Sequence, residues 1–207
     1  MIQDQLTHRI IDDLAEKGWS VSNNYFEPDF LDDLIAEEKE LWEDGSFRKA
    51  RIGTGDQKQL RPEIRSDHVL WLGENELTDL QKQYWNRIVE LREDINRELY
   101  LGLNGYEAHF AVFPPNSFYK KHLDQFAAVK ERTISCILYL NKNWAVEDGG
   151  QLRIWNSENE SDGFLDIQPH FGTFVCFRSD TVYHEVLPAN RDRFSLTGWM
   201  RKNTRLV

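Results

Sequence analysis

Between Ile2 and Lys17 the apolar residues Leu6, Ile10 and Leu14 recur at every fourth position, and Gly18 follows. That spacing predicts an amphipathic helix that stops at the glycine. A second helix is predicted from Pro28–Asp29 to about Trp42, with Phe30, Leu31, Leu34, Ile35 and Leu41 in its pattern and Gly45 beyond its end. Leu77, Leu80, Tyr84, Ile88, Leu91, Ile95 and Leu99 then repeat at three or four residues, one stripe suited to docking on a larger surface. After Gly102 the period drops to two. HFAVF, RTISCILYL, GQLRIW, FLDIQ, GTFVCF and RFSLTGWM read as strands, separated by the turn-rich PPN, EDGG, SENESDG and LPANRD. The expected fold is mostly β, an antiparallel sandwich or barrel buttressed by N-terminal α-helices. A single domain over 1–207 is expected, with helical support in 1–101 and the β core in 102–203.

Composition narrows the function classes. Hydrophobic residues make up 40% and aromatics 13%, which a chain needs to bury a core. The formal charge of −10 argues against nucleic acid or an anionic membrane as a main partner. No apolar run reaches membrane length and the N-terminus lacks the layout of a secretion signal, so a cytoplasmic location is expected. Cys136 and Cys176, each inside an apolar strand-like segment, read as reduced core thiols. One stretch departs from the acidic background. Residues 46–65 hold Arg48, Lys49, Arg51, Lys58, Arg61 and Arg65 against two acids, a net +4 around a GTG sequence. It is either a solvated loop or a docking arm for an acidic or backbone-rich partner.

Candidate chemistry begins at His122 and Asp124 in YKKHLDQF. On an extended chain, positions two apart project from one side, as two ligands of one metal must. With six histidines and 35 acids in 207 residues, roughly one His-x-acid arises by chance, so the motif needs company. It finds it in HEVLPANRDRFSLTGW, where Arg193 follows His184 by nine residues. Two imidazoles and one carboxylate leave open positions that suit non-haem Fe(II), with a zinc hydrolase as the rival reading. Arg193 favours iron, because a guanidinium pairs bidentately with the carboxylate of a co-substrate. His8, His68, His109 and His170 lack partners at useful spacing and are read as solvated or core residues.

HLD at 122–124, EDGGQLRIW at 147–155, GTFVCF at 172–177 and HEVLPANRDRFSLTGW at 184–199 together resemble the double-stranded β-helix, or jelly-roll and cupin-like, core of the Fe(II)- and 2-oxoglutarate-dependent oxygenases. Within them the chain looks most like the prolyl 4-hydroxylases, in particular bacterial relatives of the animal oxygen-sensing enzymes. The resemblance covers roughly residues 60–200, and its specificity lies in the order and spacing of motifs that are weak singly. It implies that His122, Asp124 and His184 ligate Fe(II), and that Arg193, Tyr139 and Thr197 receive 2-oxoglutarate. Alternation independently puts Arg193, Ser195, Thr197 and Trp199 on one face, so Trp199 is expected in the cavity. Arg65 and Asp67 match an Arg-x-Asp near the substrate entrance. Phe113 stands where the animal enzymes have a tyrosine, which makes Tyr119 the candidate for a replacement hydroxyl.

The implied reaction couples O2 and the decarboxylation of 2-oxoglutarate to succinate with hydroxylation, ascorbate serving as reductant. Asp124 favours hydroxylation over halogenation, for which the related halogenases carry a small residue at that position. The expected substrate is a proline in a protein, with elongation factor Tu first among candidates. A free amino acid or other small metabolite is the alternative substrate, and a non-enzymatic binding module the alternative class. The oligomeric state is not readable from the sequence.

Overall fold

The computed structural model describes residues 2–51, 59–125 and 130–202. The chain order is α1 (Ile2–Glu16), β1 (Trp19–Ser22), α2 (Pro28–Glu43), β2 (Arg48–Lys49), β3 (His68–Trp71), α3 (Asp79–Leu99), β4 (Gly105–Phe113), β5 (Tyr119–His122), β6 (Arg132–Tyr139), β7 (Leu152–Trp155), β8 (Phe164–Ile167), β9 (Phe174–Arg178), β10 (His184–Val186) and β11 (Arg193–Arg201). Seven strands form a major sheet in the order β1-β9-β6-β11-β4-β3-β2, and four form a minor sheet in the order β5-β10-β7-β8. Every pairing between these strands is antiparallel. The architecture is the expected jelly-roll core with helices behind it. Among the described residues no helix is long and apolar enough to cross a membrane.

The central strands are apolar on both faces because each face meets a different partner. On β4, Tyr106, Ala108, Phe110 and Val112 pack toward the helices, while Ala111 and Phe113 belong to the cluster between the sheets. The alternation repeats on β6, where Ile134, Cys136 and Leu138 go to the helices and Ile137 and Tyr139 go inward. Cys136 and Cys176 oppose one another on β6 and β9 as buried free thiols. The helix termini follow their sequences. Thr78 and Gln81 form a capping box at the start of α3, and Tyr100 closes its end in the left-handed conformation.

The sequence reading put helices in the first hundred residues and missed what lies between them. β1, β2 and β3 come from that half and join the major sheet, and β5 and β10 are further short strands. Strands of two to four residues hold too few positions for a period to register.

Candidate metal and co-substrate site

His122 on β5 and His184 on β10 are direct partners across an antiparallel pair, which brings their ring centroids to 4.2 Å. Asp124 lies two residues beyond His122, just past the strand end. One potential ligand atom from each of the three residues falls within 4.8 Å of the others. Hydrogen bonds fix how the rings are used. His122 Nδ1 lies 2.7 Å from the Lys120 carbonyl and His184 Nδ1 lies 3.1 Å from the Val182 carbonyl. A carbonyl only accepts, so each Nδ1 carries the proton and each Nε2 presents a lone pair. Asp124 Oδ2 accepts from Ser135 Oγ at 2.6 Å, and Ser135 in turn meets Ser179 Oγ at 2.8 Å.

Facing the imidazoles, Asp124 Oδ1 is 3.4 Å from His122 Nε2 and Oδ2 is 3.6 Å from His184 Nε2. The two Nε2 atoms and the carboxylate converge on one space, and His122 Nε2 is buried without a hydrogen bond. Burial pushes the His184 pKa down to about 4, with His122 adding to the effect, so the ring is neutral at pH 7. Burial alone would raise Asp124, but the His184 and His122 rings and Arg132 outweigh it and hold the carboxyl well below its usual range. Two nitrogen lone pairs and an anion converging without a proton are a fit for a divalent cation held on one face.

The first imidazole is braced from behind. Tyr119 stacks on His122 with centroids 3.6 Å apart, and Arg65 lies over the other face of Tyr119 at 4.4 Å. Arg65 is itself held by buried Asp67 through two bonds, of 2.8 and 2.5 Å. Arg65, Asp67 and Tyr119 therefore reach the metal centre through a stack of side chains rather than by facing bulk solvent.

A cavity of about 670 Å³ opens from this centre between the sheets, and Arg193 lies in its wall. Arg193 is 1% exposed, and its Nε donates to the Gly150 carbonyl at 2.8 Å. Gly150 has φ +69, and a Cβ there would come within 3.0 Å of Arg193 Cδ, so the second glycine of EDGG makes room for the side chain. The guanidinium carbon sits 5.1 Å from the Phe113 ring and 4.7 Å from the Tyr139 ring. Among the described residues no carboxylate pairs with it, and the buried Tyr139 hydroxyl has no hydrogen-bond partner. A desolvated cation beside an idle hydroxyl fits an incoming carboxylate. Ser135, which anchors Asp124, and Tyr139 share the inner face of β6, so one strand serves both the metal set and this cationic corner.

The matching family model is that of the 2OG-Fe(II) oxygenase superfamily, over residues 108–201. Prolyl hydroxylase EGLN3 of Mus musculus is 30% identical over 92% of this chain and 81% of its own length. The hypoxia-inducible factor prolyl hydroxylase of Caenorhabditis elegans is 30% identical over 94% of this chain, which spans 28% of that longer protein. A Pseudomonas putida prolyl-4-hydroxylase structure superimposes with TM-score 0.86 at 37% identity, covering 96% of this chain and all of the other. The chain belongs to the 2OG-Fe(II) oxygenases, among the prolyl hydroxylases. A prolyl hydroxylase of Trichoplax adhaerens, solved with a hypoxia-inducible factor peptide, also superimposes, with TM-score 0.85 at 25% identity over 97% and 91% of the two chains.

In this prolyl hydroxylase nine of the ten residues singled out from the sequence line one cavity, and the tenth, Tyr139, lies against Arg193 in its wall. Ser195, Thr197 and Trp199 line it in the alternation read from β11. Phe113, the departure from the animal enzymes, lines the cavity and packs against Arg193. His109 was missed. It is 3% exposed, lines the cavity, and meets Trp71 at 4.9 Å and Trp199 at 5.3 Å in edge-on contacts. Its Nδ1 lies 3.1 Å from the Phe110 carbonyl, and burial lowers its pKa to about 3. Only the register of β4 against β11, which sets His109 opposite Thr197, reveals it.

Proposed function

We propose that this chain hydroxylates a prolyl residue in a protein, using O2 and 2-oxoglutarate and releasing succinate and CO2. The observation that carries the reading is the pairing of two unmet demands in one cavity: the cation-seeking lone pairs of His122, Asp124 and His184, and the anion-seeking Arg193 beside Tyr139. The three ligands would hold Fe(II), which when bound supplies the oxygen chemistry that couples oxidation of the co-substrate to hydroxylation of a C–H bond. Ser135 and Ser179 orient Asp124, and the Lys120 and Val182 carbonyls fix both imidazole tautomers. Arg193 and Tyr139 would grip the far carboxylate of 2-oxoglutarate, with Thr197 lining the same wall. Tyr119, Arg65 and Asp67 hold His122 in place from the substrate side, and Trp199 bounds the space left for the target ring. Ascorbate would keep the metal reduced.

Elongation factor Tu is the first protein to test, because bacterial members of the group that the chain resembles are associated with it. The purified chain with Fe(II), ascorbate and 2-oxoglutarate is added to a cell lysate and to elongation factor Tu, and prolyl peptides are searched for a gain of one oxygen. Such a gain, absent with His122→Ala, is the expected result. If every prolyl peptide keeps its mass while free amino acids stimulate succinate release, the substrate is small and the protein reading is wrong.

A further inference from the structure

The rim of the cavity is electrically lopsided. On one side Arg132 Nε meets Glu107 at 2.8 Å, and Arg201 Nη1 meets Glu107 at 3.3 Å and Glu131 at 3.7 Å, so two cations face two carboxylates. Arg65 is matched by Asp67. On the other side Arg48, Lys49 and Arg51 line the cavity, are exposed, and pair with no carboxylate among the described residues. Arg48 uses its Nη1 only on the Gly45 and Phe47 carbonyls, which leaves its charge unmatched. These three belong to β2 and its continuation, at the outer edge of the major sheet. Three cations at the cavity opening without a carboxylate partner among the described residues, in a chain whose net charge is −10, make a local positive field. Beside it, Trp71 is 47% exposed and offers an apolar contact at the same opening.

We infer that Arg48, Lys49 and Arg51 select substrates carrying acidic side chains on one side of the target proline. This rests on the prolyl hydroxylase reading and adds to it the chemistry of the flank. The geometry gives the preference a direction: a peptide whose proline enters the cavity must leave along the rim, and among the described residues the β2 rim is the unneutralised one. Acidic residues on the other flank would meet the Glu107 and Glu131 side, where the charges already cancel. Exposed pairs of this kind act through steering and modest contact energy, so the preference is graded and screened by salt.

A library of short peptides with a fixed central proline and randomised flanks, treated with the Fe(II) and 2-oxoglutarate holoenzyme and sorted by gain of one oxygen, tests this. The expected outcome is enrichment of Asp and Glu on one side only, roughly tenfold over Lys and Arg in kcat/KM, shrinking as salt is raised. The double variant K49E/R51E should reverse the preference toward basic flanks, a gain that a misfolded protein cannot give. Hydroxylation of prolines without any flank preference, or an unchanged acidic preference in the variant, overturns the inference while leaving prolyl hydroxylation standing. Absence of any modified proline overturns both.

Discussion

Arg193 and His109 show how burial gives single side chains their roles. A guanidinium that is 1% exposed, held by one carbonyl and two aromatic rings but by no carboxylate among the described residues, is only partly compensated for its desolvation, so a carboxylate ligand recovers much of what folding gave up. Arg193→Gln should therefore weaken 2-oxoglutarate binding by about 2–4 kcal/mol, measured by calorimetry on the Fe(II) form or as a rise in KM, with little loss of thermal stability in the apo protein. His109 and His184 are held neutral, with pKa values lowered to about 3 and about 4. In the unfolded chain each titrates near 6.5, so between that value and the folded one the unfolded state binds more protons. Stability should fall as pH drops below about 6.5, by up to roughly 1.4 kcal/mol per pH unit per histidine. Melting curves of wild type and His109→Gln from pH 7 to pH 5 check this, the variant losing less.

At the scale of elements, α2 and β11 carry features that sheet and helix periodicity alone do not explain. Glu38 on α2 is 0% exposed, and burial raises its carboxyl well above the usual range. This is the opposite linkage to the histidines: the folded state keeps a proton that the unfolded state gives up, so the stability it allows at acidic pH is lost as pH rises above about 4.5. Glu38→Gln should raise the melting temperature, more at pH 8 than at pH 5. Gly198 on β11 marks a close approach. A Cβ there would lie 2.1 Å from the hydroxyl of Tyr106, which is buried and bonded to Tyr84 at 2.9 Å. Gly198→Ala should destabilise by about 2–4 kcal/mol in denaturant unfolding, because neither tyrosine can retreat in a packed layer.

For the whole molecule, ligand and fold are linked through strands far apart in sequence. His122 and His184 sit on two paired strands, with Asp124 just beyond the first, and the metal would clamp them together, so a divalent ion should raise the melting temperature and Asp124→Ala should abolish the rise. The sequence by itself determined the helices, the longer strands, and the order and spacing of His122, Asp124, His184 and Arg193, because these depend on local period and on motifs. Phe113 shows the limit: its identity was plain, but that it packs on Arg193 depends on the pairing of β4 with β11. Tertiary structure alone decided that His109 faces the cavity and that Arg65 and Asp67 act through Tyr119. It also decided that Arg48, Lys49 and Arg51 line one rim without a carboxylate partner among the described residues. Each of these is a relation between residues brought together by strand register, and register is set by which faces the helices and the second sheet bury, not by the neighbours along the chain.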